Sequence, residues 1–264
     1  MRKYRAAFDL GAAAAMEHRV DFFMGILSTV FPIIIQVFLW TALYREGGTM
    51  YGFSFGQMMV YVFIAGAVSK FVNTGVQGQV NQDIHSGALG SYLVKPASYL
   101  GFRLANALGG KVFSMVVMAL LAFGVIAGFS AAGMYTADAT SLLLFIPVLL
   151  FGLLLNFFMF MLISLSAFWI TEAGRLFHSA QVVVMVISGG VFPVDIFGPA
   201  IKKSLVYLPF TYTIGFPVQV AAGNLPTGEM LAGILAQLFW IALLAVLSRL
   251  VWSAGCKKFS AVGG

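Results

Sequence analysis

The sequence predicts an all-α integral membrane protein with six transmembrane helices, and three observations predict it. Of 264 residues, 61% are hydrophobic and 9% charged, with a mean hydropathy of +0.97. Soluble domains carry roughly 25% charged residues, so this chain cannot cover a water-facing surface, and the same apolar excess excludes disorder. The apolar residues fall in stretches long enough for a hydrocarbon layer about 30 Å thick, which takes roughly 20 helical residues to cross. Those stretches lack the alternation of a barrel strand, so each must satisfy its own backbone as a helix. Six spans and their loops leave no room for a sizeable soluble domain.

Taken in order, residues 4–19 come first. Arg2, Lys3 and Arg5 resemble the start of a signal peptide, and Ala12 to Ala15 resemble a cleavage site. Asp9 and Gly11 interrupt the apolar stretch, which is too short for a signal core. The segment reads as an amphipathic helix on the membrane surface. Phe8 and Leu10 face lipid; Arg5, Asp9, Glu17 and Arg19 face water. The spans follow at 22–44, 55–77, 99–128, 140–169, 177–192 and 230–252. Pro32 and Pro147 fall inside spans and are expected to kink them. Trp40, Trp169 and Trp252 lie near span ends, where amphipathic rings prefer to sit; Trp240 does not fit that belt. Gly124-x-x-x-Gly128 permits close helix packing, though among 29 glycines the match carries little weight.

The net charge of +6 is a topology signal before it is anything else. With the N-terminus inside, Arg45, Lys202 and Lys203 lie outside and the other twelve of fifteen Lys and Arg lie at or toward the cytoplasm. The positive-inside bias therefore predicts both termini in the cytoplasm. Lys70 lies a turn or two from the inner end of its span and can snorkel. The single cysteine, Cys256, excludes an internal disulfide.

Two connections are informative. On the inner side, residues 80–86 can form a short helix with Val80 and Ile84 on one face. Gly87 can stop it with a left-handed turn. Leu89, Tyr92 and Leu93 supply an apolar ridge, and Pro96 forces an extended approach to the third span. Such an exposed element has little to pack on within its own chain, so it either docks a cytosolic partner or rests on lipid. On the outer side, residues 193–229 are apolar but punctuated by prolines, in pieces too short to span. Two short helices, about 197–208 and 211–223, can dip into the outer leaflet as a re-entrant hairpin, with Lys202 and Lys203 reaching for headgroups.

At this point the chain resembles the permease subunits of the type-2 family of ABC exporters. The matching pieces are the N-terminal helix, the six spans, the Ile84-His-Ser-Gly87-Ala-Leu-Gly-Ser-Tyr-Leu-Val-Lys-Pro96 loop, and the Phe192-Pro…Leu208-Pro-Phe…Pro217…Gly223-Asn string. The resemblance implies that 80–93 is a coupling segment seated in an ATPase subunit. Its contacts would be Gln82, Asp83, Ile84, His85, Ser86, Gly87, Ala88, Leu89, Tyr92 and Leu93. It also implies that the outer hairpin is a lid, with Phe192, Pro193, Pro209, Phe210 and Pro217 as the outer gate.

The chain shows no engine of its own. Gly109-Gly110-Lys111 is followed by Val112, and position 105 is Ala, so the Walker loop is missing its hydroxyl and its first glycine. ATP and Mg would be bound by the partner ATPase, and no cofactor is expected in this chain. All nine acidic residues, Asp21 and Glu172 included, lie near span ends or in loops, which argues against proton coupling. His18, His85 and His178 show no metal-ligand spacing, and no Gly-x-Ser-x-Gly elbow is present.

The amides Gln36, Asn73, Asn106, Asn156, Gln181 and Gln237 either line a path or bond neighbouring helices. Gln36, Asn156 and Gln237 lie deepest and are the translocation-path candidates. The resemblance implies ABC ATPase subunits and a second permease, identical or homologous, as partners in the inner or plasma membrane of a bacterial cell, with no nucleic acid. Cargo would be a hydrophobic or amphipathic compound (a drug, peptide or lipid-linked molecule) exported by alternating access. The rivals are a secondary carrier or channel, and a non-transporting sensor or anchor subunit.

Overall fold

In a bilayer every backbone N–H and C=O must find a partner within the chain, and the computed structural model meets this almost wholly with helices. It describes all residues except 1, 18, 95–96, 135–138, 171–172, 224 and 260–264. His18, Lys95, Pro96, Asp138, Glu172 and Asn224 therefore lie outside the described residues, as do the side chains of Arg19, Asp21 and Arg175. The helices are α1 (Arg2–Glu17), α2 (Arg19–Leu43), α3 (Phe55–Val72), α4 (Val76–His85), α5 (Leu89–Leu93), α6 (Tyr99–Ala131), α7 (Ala139–Ser164), α8 (Ala173–Ile187), α9 (Gly198–Val206), α10 (Gly215–Ala221) and α11 (Thr227–Lys258).

Four helical stretches among the described residues are long and apolar enough to cross a membrane: Phe55–His85, Tyr99–Ala131, Thr140–Phe168 and Thr227–Lys258. Pro32 and Pro147 sit within α2 and α7, which run on through them as single helices. The helix in the fifth expected stretch is shorter than 177–192. Its 15 residues end at Ile187, about 22 Å of helix against a core of about 30 Å. The reason lies in the next turn. Gly189 takes φ +85°, the Tyr61 hydroxyl donates to its carbonyl at 2.6 Å, and Gly215 N–H donates to the Ser188 carbonyl at 2.7 Å. The chain is thus held in a bend between α3 and α10.

Two apolar cores form. One gathers Trp40, Tyr61, Phe71 and Leu153 from α2, α3 and α7, with Val218 of α10. The other gathers Val80, Leu89, Tyr99, Phe157, Phe177 and Leu244 from α4 to α8 and α11. Trp40 is 2% exposed, and Trp252 stacks on Tyr99 at 4.6 Å. Each ring packs against neighbouring helices of its own chain.

The N-terminal helix is not merely a surface float. It lies along α6, with Ala7 and Gly11 buried between them. A Cβ at Gly11 would collide with the Asn106 carbonyl, and one at Gly109 with the Phe8 carbonyl. Asn106 Nδ2 donates to the Ala7 carbonyl at 3.3 Å. Phe8 and Leu10 stay exposed on the other side, as an amphipathic helix requires. Gly124 and Gly128 have nothing within 4 Å of an added Cβ, so the glycine packing motif makes no close approach among the described residues.

Candidate functional site

The α4–α5 unit hangs from the end of α3. Asn73 Oδ1 accepts from Gly75 N–H at 3.1 Å, and Gly75 turns the chain at φ +66°. Val76, Val80 and Ile84 recur at helical spacing on α4 and are buried. Gly87, at φ +76°, then reverses the chain into α5.

The apolar ridge corrects the sequence reading. Leu89 is 0% exposed, and Tyr92 packs edge-on against Tyr99 at 5.3 Å. Of the three ridge residues only Leu93 is exposed. The unit has much to pack on within its own chain, because α7 continues as a 3-10 turn over Leu165–Phe168 and joins Phe177 of α8 beneath it.

A buried polar clamp sits under this unit. Asp83 pairs with Arg103, and the Tyr99 hydroxyl donates to the same carboxylate. Arg103 Nε also donates to the Tyr99 hydroxyl at 3.2 Å, and Nη1 donates to Gln79 Oε1 at 3.0 Å. The Arg103 guanidinium lies 5.5 Å from the centre of the Tyr92 ring. A buried ion pair persists where added hydrogen bonds satisfy its remaining donors and lone pairs, and Tyr99, Gln79 and the aromatic faces do that here. On another side, Gln77 Nε2 donates to Gln181 Oε1 at 3.2 Å, fastening α4 to α8.

The ten expected coupling residues therefore divide. Asp83, Ile84 and Leu89 are buried and hold the unit in place. Gln82, His85, Ser86, Ala88 and Leu93 are exposed, with Gly87 and Tyr92 half-buried among them. What the unit presents outward is a small polar rim of Gln82, His85 and Ser86 beside an apolar edge of Leu93 and Val94. Tyr99 and Arg103 were missed as members of this site. The readable signal was an arginine four residues after a tyrosine at the start of an apolar helix, with an acid on the preceding short helix.

The path candidates lie on separate elements. Gln237 is 0% exposed; its Nε2 donates to the Val148 carbonyl at 3.0 Å and the Tyr212 carbonyl at 2.9 Å. It thereby ties α11 to α7 and to the turn before α10. Asn156, on α7, is buried, and Gln36, on α2, is half-buried. Asn73, Asn106 and Gln181 act within or between helices through the bonds already described.

Residues 191–223 form the second unit. Pro193, Pro209 and Pro217 are buried, and Pro193 caps a 3-10 turn over Val194–Phe197. Phe192 lies against the first core and Phe210 against the second, so the expected gate residues belong to different packing groups. Lys202 does not simply reach away: its Nζ lies 2.5 Å from Asp195 Oδ1, and Gln219 Nε2 donates to Asp195 Oδ2 at 3.3 Å.

Long apolar helices, a braced polar rim at one set of helix ends and a bent unit over 191–223 define a multi-pass helical membrane protein. The chain belongs to a permease family: the model of the ABC-2 family transporter protein matches residues 30–263. No curated protein matches it. Members of this family are generally non-catalytic membrane subunits and normally work with an ABC ATPase.

Proposed function

We propose that the chain is the membrane-spanning permease of an ATP-driven exporter, with the α4–α5 unit docked on an ABC ATPase at the cytoplasmic face. The observation that carries this reading is the combination of an exposed rim, Gln82, His85 and Ser86, with a buried clamp from Asp83 to Arg103. A partner pushing the rim would thus push α6 directly. The twelve-to-three distribution of basic residues supports six spans with both termini inside. A second permease completes the path, and residues 193–229 cover its outer end. ATP and Mg stay with the ATPase. The cargo is a hydrophobic or amphipathic compound, a class that suits the 26 Phe and 13 Met of the chain, and it crosses by alternating access.

The test is co-expression with the partner ATPase followed by pull-down and ATPase assay in liposomes. Ser86→Trp and His85→Asp change exposed side chains of the rim, so they should abolish co-purification and stimulation while the permease stays inserted. Unaltered pull-down and stimulation by both variants would refute the docking assignment. Cargo flux through the purified permease alone, without any ATPase, would favour a secondary carrier.

A further inference from the structure

An apolar groove of about 520 Å³ runs between α2, α3 and α6, walled by Ile33, Ile34, Phe63, Ala67, Leu121 and Val125. Ile34 and Leu121 are exposed there. Among the described residues, the charged one in its lining is Lys70. Beside it, Lys111 Nζ donates to the Lys70 carbonyl at 3.1 Å, which brings a second ammonium to the same end of the groove and leaves it donors to spare. The sequences of α3 and α6 contain no carboxylate, and that of α2 contains one, Asp21. Asp21 precedes the first α2 residue of the groove, Val30, by nine positions, about 13 Å along the helix axis.

Hydrocarbon walls ending in two cations are complementary to a molecule divided the same way, an apolar chain with an anionic head. The volume falls within the range of roughly 300–1,000 Å³ typical of ligand sites. Basic pockets between membrane helices suit anionic lipid headgroups. A second protein surface fits less well, because it would have to carry its own acid into the bilayer, where charged side chains are costly.

We propose that this groove is a binding site for an anionic membrane lipid, its acyl chain laid between α2 and α6 and its phosphate held by Lys70 and Lys111. The site belongs to the permease itself and stands whether or not α4–α5 docks an ATPase.

The test uses full-length protein in mixed micelles containing phosphatidylglycerol and phosphatidylcholine with matched chains, read by native mass spectrometry. Wild type should retain phosphatidylglycerol over phosphatidylcholine by roughly ten-fold or more, the effect expected of two lysines at an anionic head. Lys70→Gln/Lys111→Gln should bring that ratio close to one, since glutamine at 111 keeps a donor for the Lys70 carbonyl. Ala67→Phe should lower phosphatidylglycerol binding with both lysines intact. Should the double variant lose its thermal transition, Lys70→Gln alone serves, because that side chain is exposed, and it should still lower the ratio. An unchanged ratio in these variants, or equal retention of the two lipids by wild type, overturns the proposal. So does ready disulfide formation between two copies carrying Phe38→Cys on a Cys256→Ser background, which would show a second copy covering the groove.

Discussion

Asp83 carries a negative charge into a place where water does not follow, and only Arg103, Tyr99 and the geometry around them make that tolerable. Breaking a buried pair by removing one partner leaves an uncompensated charge and costs about 3–5 kcal/mol, whereas an apolar replacement of both partners can be close to neutral. Arg103→Met should therefore lower the thermal midpoint in detergent sharply. Adding Asp83→Leu to it should recover much of the loss. A double variant as unstable as the sum of the two singles would contradict this account. Gln237 is a milder case. Its bond to Val148 is interhelical and its bond to Tyr212 reaches the turn before α10; interhelical bonds of this kind average about 0.6 kcal/mol each. Gln237→Leu should lower the midpoint slightly and leave cargo-stimulated ATPase activity of the assembled transporter near wild type. Lost stimulation with an unchanged midpoint would instead return Gln237 to the path.

Among elements, the crossing of α1 on α6 is the tightest approach described, and it is made by glycines. Overpacking a close contact costs about 1–3 kcal/mol. Gly109→Leu should expose α1 to limited proteolysis and lower the midpoint, while Gly124→Leu, with open space around it, should do neither. Equal effects at both positions would mean that α1 does not hold to α6. The same comparison shows what could be read from the chain beforehand. The left-handed turn at Gly87 and the two short helices after Pro193 were legible, because glycine and proline act locally. The partner of an apolar face is a tertiary fact, and periodicity does not name it. Leu89 was read as outward for that reason: it is buried in a core whose other members include Phe157, Leu165 and Phe177, far along the chain. Gly11 reads in the sequence as an interruption and Gly109 as part of an incomplete Walker loop, since their use depends on a neighbour roughly a hundred residues away. Helix α8 was overestimated because Ser188-Gly-Gly-Val-Phe continues the apolar run, while the bond that bends it comes from Tyr61.

For the whole molecule, the expected topology sets α4–α5 and α9 on opposite faces of the membrane. The native thiol can be removed by Cys256→Ser, after which single cysteines report sidedness. Ser86→Cys should react with an impermeant maleimide only when the inner face is opened, and Lys203→Cys should react in intact cells. Both reacting from one side would exclude the six-span arrangement. Family membership and multi-pass character rest on different ground, the match over residues 30–263 and the long apolar helices.

The bend at Ser188-Gly189 has one more implication. Because the Tyr61 phenol grips it from α3 while Gly215 holds it from α10, these three parts cannot shift independently without breaking buried bonds. A rearrangement that keeps those bonds carries the three parts together and takes up its bending elsewhere. Gly75, already left-handed and with open space where a side chain would stand, is one joint able to yield. Tyr61→Phe removes one of the two bonds and should lower the thermal midpoint in detergent; an unchanged midpoint would mean that the phenol does not hold the bend.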